Sequence, residues 1–343
     1  MRDDILSTSK YIGIDLGTSN TLVFTAEKGI VTREPSVVAF DSETSRVLAT
    51  GDAAKRMIGK TPASVSALRP LRDGVIADFE FCSDMLCEFV KKGVGQIIGI
   101  RPKVIMGIPY GITEVEKRAA EDAAIEAGAS GVITIDVPLL SAIGASLPVM
   151  APVGSMIVDI GAGTTEIAII SHGGIVTSSS VKISGNTFDN AIISYIKQEF
   201  NVLIGEQAAE EIKIKIGSAH PTADIGAIEV KGRNMRNGRA AEFTLYASEV
   251  REALSESLAS LFEAIRAVLD SAPPELCSDI YDTGITLCGG GALLSGLSFY
   301  IQEKSKLQVK VANKPLDCVI NGIGRLIKDK RMLDEIERIG LRG

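Results

Sequence analysis

The sequence predicts an α/β fold built from two related halves. Three observations predict it: a strand–turn–strand motif that occurs twice, strands that alternate with helical patterns in both halves, and a length of 343 residues. At ~100–200 residues per domain, that length allows about two domains, each with its own core. Residues 12–23 read Ile-Gly-Ile-Asp-Leu-Gly-Thr-Ser-Asn-Thr-Leu-Val, and residues 157–168 read Ile-Val-Asp-Ile-Gly-Ala-Gly-Thr-Thr-Glu-Ile-Ala. Both run apolar strand, Asp, apolar residue, Gly, small polar turn, Thr, apolar strand. Such self-similarity predicts two structurally related units, and the alternation of strands with helices predicts the α/β class.

In the first half, Tyr11–Asp15 and Thr21–Thr25 form a hairpin, and Glu27-Lys28-Gly29 turns the chain into Ile30–Thr32. Val37–Phe40 and Val47–Thr50 make a further strand pair, followed by a short helix over Ala53–Ile58. Asp84–Lys92 starts a longer helix that stops at Gly93. Pro102 and Pro109 bracket a buried strand, Lys103–Ile108. Thr113 and Glu116 make a capping box for a helix through Ala127, and Gly128 ends it. Val132–Ile135 reads as a strand and Leu139–Leu147 as a small-residue helix.

The second half repeats the plan. Met156–Asp159 and Glu166–Ile170 form its hairpin, and Gly173-Gly174 turns into Ile175–Val181. Phe188–Phe200 and Ala208–Ile216 have helical spacing, and Ile228–Gly232 pairs with Glu242–Leu245. Ser248–Leu269 is a long amphipathic helix that Pro273-Pro274 ends. Ile285–Cys288 is a strand, Leu297–Lys304 a helix and Val309–Val311 a strand.

Composition narrows the function. A net charge of −7 with no long basic run argues against a nucleic-acid partner. The local cluster Lys231, Arg233, Arg236 and Arg239 reads as a solvated turn between strands. Five cysteines without a Cys-x-x-Cys pair suggest reduced thiols in a cytosolic protein. His172 and His220 have no partner at metal-ligand spacing, so zinc is not expected. Met1–Lys10 has no signal-peptide core, and no run of ~18 apolar residues follows. The expectation is a chain that does not span a membrane, which leaves open whether it lies on one.

The repeated hairpin suits one task. Turn N–H groups and hydroxyls hold phosphate oxygens while the Asp faces a hydrated divalent cation. Two such turns grip a polyphosphate from two sides. A third glycine-rich element, Cys288-Gly289-Gly290-Gly291-Ala292-Leu293-Leu294, also follows an apolar strand. Without Cβ atoms, its backbone lets a flat base or sugar pack directly on it.

Together these elements resemble the actin-like ATPase superfamily, which also holds sugar kinases and heat-shock chaperone ATPase domains. Asp15–Thr21 is similar to its first phosphate loop, Asp159–Thr165 to its second and Gly289–Leu293 to its adenosine loop. Within the superfamily the chain most resembles the bacterial actins of the MreB family, through residues 34–39, 69–79, 154–159 and 273–276. The resemblance covers about residues 10–325. It implies an actin-like fold: residues 1–138 as one domain with a small subdomain near 33–66, and residues 139–311 as the other with a small subdomain near 182–246. A C-terminal segment of about 312–343 packs back on the first domain. ATP or ADP with Mg²⁺ would lie in the cleft. Thr18, Ser19 and Asn20 would meet phosphates from one side, and Gly161, Ala162, Gly163 and Thr164 from the other. Asp15 and Asp159 would hold Mg²⁺ through water, Glu210 and Lys213 would contact ribose and base, and Gly290, Gly291, Ala292 and Leu293 would line the adenosine. From spacing alone, Glu210 and Lys213 also read as a surface i, i+3 ion pair.

One departure stands out. The family carries a water-orienting Glu directly before the Pro of the segment written here Ile135-Asp136-Val137-Pro138-Leu139. Val137 can neither accept a proton nor hold a water, so hydrolysis should be slow or absent unless Asp136 or Thr164 substitutes. A second feature is Ile97, Ile98 and Ile100, flanked by Lys91, Lys92, Arg101 and Lys103. They read either as an apolar tip that enters the headgroup region of a membrane or as an extension of the core strand. The expected function is a cytoskeletal one: protofilaments of this chain, peripheral on the inner face of the cell membrane, that organise wall synthesis with membrane-bound morphogenesis proteins. The competing readings are a specialised filament for plasmid partition or magnetosome alignment, and a small-molecule kinase. A chaperone ATPase would need a peptide-binding domain for which the chain has no room.

Overall fold

The computed structural model describes residues 11–95 and 101–340. Its first sheet has the order β10-β9-β1-β2-β3, from β1 (Tyr11–Leu16), β2 (Asn20–Thr25), β3 (Gly29–Pro35), β9 (Lys103–Ile108) and β10 (Gly131–Asp136). The second has the order β13-β12-β11-β17-β18, from β11 (Ser155–Ile160), β12 (Thr165–Ser171), β13 (Gly174–Val181), β17 (Ile285–Cys288) and β18 (Val309–Val311). The wiring is the same in both. The motif strand pairs antiparallel with the next strand and parallel with a later one: β1 with β2 and β9, β11 with β12 and β17. The chain is thus a mixed α/β protein with two sheet-based domains of one topology, as the internal repeat predicts.

Each domain carries a small three-stranded sheet. In the first, β4 (Val38–Asp41) lies between β5 (Val47–Thr50) and β6 (Val65–Leu68), beside helix α1 (Gly51–Lys55). In the second, β15 (Ala227–Asn234) lies between β14 (Val202–Leu203) and β16 (Ala240–Tyr246). The turn between β15 and β16 holds Arg236 and Arg239, while Lys231 on β15 pairs with Glu242 at 3.2 Å.

The larger helices complete a layered core. Helices α2 (Phe79–Val94) and α3 (Glu114–Glu126) cover one face of the first sheet around Met85, Phe89 and Ala123. Helices α4 (Val137–Gly144) and α10 (Cys318–Lys328) fill the space between the sheets, where Leu140, Ile143, Ile320 and Ile323 meet Ile105 from one sheet and Ile157 from the other. On the far face of the second sheet lie α5 (Gly185–Phe200), α6 (Glu206–Ile216), α7 (Ala247–Asp270), α8 (Pro274–Thr283) and α9 (Leu297–Ser305). α7 presents Val250, Leu254, Leu258, Leu261, Ile265 and Val268, an i, i+3/i+4 stripe, to this core. α11 (Lys330–Gly340) adds Leu333 and Ile336 to the middle layer. β12 is buried at all seven positions because helices cover both its faces.

Local chemistry explains where the boundaries differ from expectation. α2 begins at Phe79 rather than near Asp84, because the Asp78 carboxylate accepts from the Phe81 N–H at 3.2 Å. It passes Gly93, which is small because a Cβ there would crowd Val31 and Thr32, and ends before Gly95 at φ 86°. α4 starts at Val137, with Pro138 in its first turn, and ends at Gly144 instead of Leu147. β6 and the short hairpin β7 (Leu71–Arg72) to β8 (Val75–Ile76) were not expected; the hairpin forms because Asp73 and Gly74 both take positive φ. Among the described residues no helix is long and apolar enough to cross a membrane.

Candidate functional site

The repeated turns meet between the domains. Each is closed by the same backbone bond: the Gly17 N–H donates to the Asn20 carbonyl at 3.1 Å, and the Gly161 N–H donates to the Thr164 carbonyl at 2.9 Å. Ser36 braces the first turn, its hydroxyl donating to the Gly17 carbonyl at 2.6 Å. The start of α5 braces the second, through the Gly185 and Asn186 N–H groups to the carbonyls of Gly161 and Ala162 at 2.9 and 3.0 Å. The Thr18 hydroxyl accepts from the Gly74 N–H at 3.0 Å. A Cβ on Gly163 would lie 2.5 Å from Thr18 Oγ1 and 3.0 Å from the Asp73 Cα. The loops therefore touch, and a larger residue at 163 would force them apart. The N–H groups of Thr18, Ser19, Ala162 and Gly163 donate to no backbone carbonyl among the described residues. Unspent backbone donors converging from two turns make an anion cradle.

Beneath the turns lie Asp15 and Asp159, at equivalent places in β1 and β11. Asp159 is buried, accepts from the Ser141 hydroxyl, and has its pKa raised by desolvation. Burial, and then the charge of Asp159, push the Asp15 carboxyl up to about 7, with Arg33 opposing. Because this folded value lies above the unfolded one, wild-type stability falls as pH rises from about 4 to about 7 and the penalty persists above that. Without nucleotide or cation, Asp15→Asn should therefore melt above wild type at pH 8, by a margin that shrinks toward pH 5. Circular-dichroism melts at the two pH values check this, and a variant that melts below wild type at pH 8 would contradict it.

The third glycine element packs against the same strand. A Cβ on Gly289, at φ 77°, would overlap Asp159 Oδ1, and one on Gly291 would overlap the Ile160 side chain. These glycines let β17 and its turn close onto the end of β11. Beyond them Gly290 lies near Leu316, Ala292 is buried and Leu293 is 57% exposed.

Glu210 and Lys213 do not pair with each other. Glu210 meets Lys55 of α1 at 3.2 Å, and Gln207 donates to the Lys55 carbonyl at 2.9 Å, so α6 and α1 bridge the small sheets of the two domains. Lys213 bonds Asp189 at 2.8 Å and donates to the Gly185 carbonyl at 2.9 Å, which places its ammonium beside the second turn.

Asp136 is the N-cap residue of α4 but makes no capping bond; burial raises its pKa, and the charge that opposes this is Lys117 on α3. Val137, half-buried, converges with Leu140 and Val319 over Gly107. Thr164 Oγ1 lies beside Gly74. Sequence reasoning missed Glu166, only 2% exposed on β12. Its carboxylate accepts from the Ser180 hydroxyl at 2.7 Å and from the Tyr110 N–H, in the other domain, at 3.4 Å; burial raises its pKa, and the Ser180 and Thr164 hydroxyls and the Tyr110 N–H oppose the rise. The available signal was a lone carboxylate inside the apolar run of residues 165–170. Ile97 and Ile98 lie outside the described residues.

The MreB/Mbl protein family model matches residues 9–335. The cell shape-determining protein Mbl of Bacillus subtilis (strain 168) is 46% identical over 331 residues, 96% of this chain and 98% of that relative. The cell shape-determining protein MreB of Escherichia coli (strain K12) is 46% identical over 325 residues, 93% of this chain and 94% of that one. Among solved structures, MreB5 of Spiroplasma citri bound to AMPPNP superposes with a TM-score of 0.90 at 37% identity, covering 96% of this chain and 98% of that one. With a family match over nearly its whole length and relatives at this identity, the chain belongs to the MreB/Mbl family of actin-like proteins.

Proposed function

We propose that this chain is an ATP-binding bacterial actin that polymerises into protofilaments on the inner face of the cell membrane and organises cell-wall synthesis and cell shape. The observation that carries the reading is the contact of two equivalent turns, with unspent N–H donors, directly above Asp15 and Asp159. Thr18, Ser19 and Asn20 take the phosphates from one domain, and Gly161, Ala162, Gly163 and Thr164 from the other. The turn at Gly290–Leu293 supplies the adenosine surface. Glu210 holds Lys55 through one oxygen, which leaves acceptor sites on its carboxylate for a ribose hydroxyl.

Asp15 and Asp159 fit a divalent cation, because burial raises the proton affinity of both, the charge of Asp159 adds to the rise at Asp15, and the opposing cation, Arg33, is ion-paired with Asp317. Mg²⁺ would neutralise phosphate charge there, with water and phosphate oxygens completing its shell. Hydrolysis is slow, because Val137 offers no oxygen to a water. Ile97 and Ile98 supply the contact with lipid, and membrane-bound morphogenesis proteins are the further partners.

The test is sedimentation of the full chain with ATP and Mg²⁺, with and without vesicles rich in anionic lipid. Pelleting that requires ATP, and co-floatation with vesicles that Ile97→Glu with Ile98→Glu abolishes, are the expected results. A chain that binds ATP yet stays in the supernatant at every concentration would sink the filament reading.

A further inference from the structure

The proposed slow hydrolysis raises a specific question: with valine at 137, what holds the attacking water? The turn that follows β9 supplies the geometry. Asp136 lies in register with Ile108, so Val137 borders the Pro109–Tyr110 turn from the first domain. Glu166 reaches the same turn from the second domain, through the Tyr110 N–H at 3.4 Å. Thr164 Oγ1 lies beside Gly74, where an added Cβ would meet both it and the Pro109 ring. One carboxylate is therefore fully replaced by a hydrocarbon, while another, from the opposite sheet, stands at the same turn.

We infer that Glu166 is a positioning residue for hydrolysis: it accepts the hydrogen bond of the Thr164 hydroxyl and so turns that oxygen's lone pairs toward the attacking water, in place of the missing carboxylate at 137. A carboxylate has about four acceptor sites, and Ser180 and Tyr110 use two, so a third bond is available for Thr164. A hydroxyl that donates to a fixed carboxylate can only accept from its next neighbour. The water oxygen then forms its bond to the γ-phosphorus while the bond from that phosphorus to the β,γ-bridging oxygen breaks. The electron pair stays on the departing ADP, and the water's proton leaves with the phosphate. Little covalent chemistry is asked of the protein; orientation of the water is its main contribution. The competing structural account is that Glu166 merely ties the Tyr110 turn to β12.

This inference rests on the ATP reading above, and the experiment separates the two. The full chain, with ATP and Mg²⁺, is assayed for phosphate release and for binding of a fluorescent ATP analogue. Glu166→Leu should lower kcat about tenfold or more with analogue affinity within about threefold of wild type. Val137→Glu added to Glu166→Leu should restore release, because a carboxylate at 137 holds the water directly. A structural role would not be bypassed in this way. Should Glu166→Leu melt far below wild type, Thr164→Val replaces it: the hydroxyl is lost at nearly constant volume, with the same loss and the same rescue expected. Wild-type release by Glu166→Leu, or failure of Val137→Glu to rescue either variant, would overturn the inference while leaving nucleotide binding intact. A wild-type chain that binds the analogue but releases no phosphate would overturn it too. A wild-type chain that does not bind the analogue would overturn the nucleotide reading and the inference with it.

Discussion

Val137→Glu, in the otherwise wild-type chain, is expected to raise ATP-dependent phosphate release by about 10²–10⁴-fold, the range that a positioned carboxylate contributes to such reactions. Residue 137 is the first of α4, where the chain leaves the carboxyl end of β10. In α/β sheets that edge is where ligands bind. The valine side chain lies over Gly107 with Leu140 and Val319, so the position meets hydrocarbon. It is only half-buried, and a carboxylate in the first turn of a helix is favoured by the helix dipole. The substitution should therefore cost the fold little, and a change in rate will report on chemistry. Asp136 is poorly placed to do the same work unaided, since Lys117 on the outer helix α3 is the cation acting on it. Phosphate release measured beside pelleting checks the expectation. If polymer forms in both proteins but disassembles faster in the variant, hydrolysis is the clock that valine slows. If wild type already releases phosphate at the variant's rate, the reading of Val137 is wrong.

Much of this architecture was legible in the sequence, because the repeat is local. Asp, Gly and Thr at the ends of apolar strands fix a hairpin through neighbours only, so both motif hairpins and the alternation of strand and helix could be read in order. The capping box of Thr113 and Glu116 was legible for the same reason, and it forms with both bonds present. What depends on distant partners was not. The α2 start needed Asp78 to be recognised as a cap instead of a loop residue. Glu210 looked like half of an ion pair with Lys213, yet its partner, Lys55, comes from the other domain, and Lys213 turns to Asp189. Glu166 stood out in the sequence only as a lone carboxylate in an apolar strand; its place comes from Tyr110 and Ser180, which the fold brings to it from 56 and 14 residues away. The glycines also carried two meanings. Gly289 and Gly291 suggested a bare surface for a nucleoside, whereas in the structure they also permit contact with β11.

The second large effect concerns the crossing of α4 and α10. Gly322→Val is expected to lower the melting temperature by about 6–12 °C, from about 3 kcal/mol of overpacking at about 2–4 °C per kcal/mol. A Cβ on Gly322 would overlap the Leu140 carbonyl oxygen, and one on Gly144 would overlap the Cys318 carbonyl oxygen. The interference is reciprocal, with each glycine four residues from the other helix's contact point on its own helix, so one glycine on each helix lets the backbones touch. The obstacle is backbone on both sides, and no rotamer change can relieve it. The crossing also joins the two sheets. α4 links β10 of the first sheet to β11 of the second, and α10 follows β18 of the second sheet and packs on β1, β2 and β9 of the first. Both chain connections between the two sheets thus run through one tight contact. The chain has no tryptophan, so far-UV circular dichroism is the suitable probe of melting. Gly131→Ala is the control, since an added Cβ there meets nothing within 4 Å and should shift melting by under about 2 °C. A Gly322→Val chain that melts within that same margin would show that the helices have slack at their crossing.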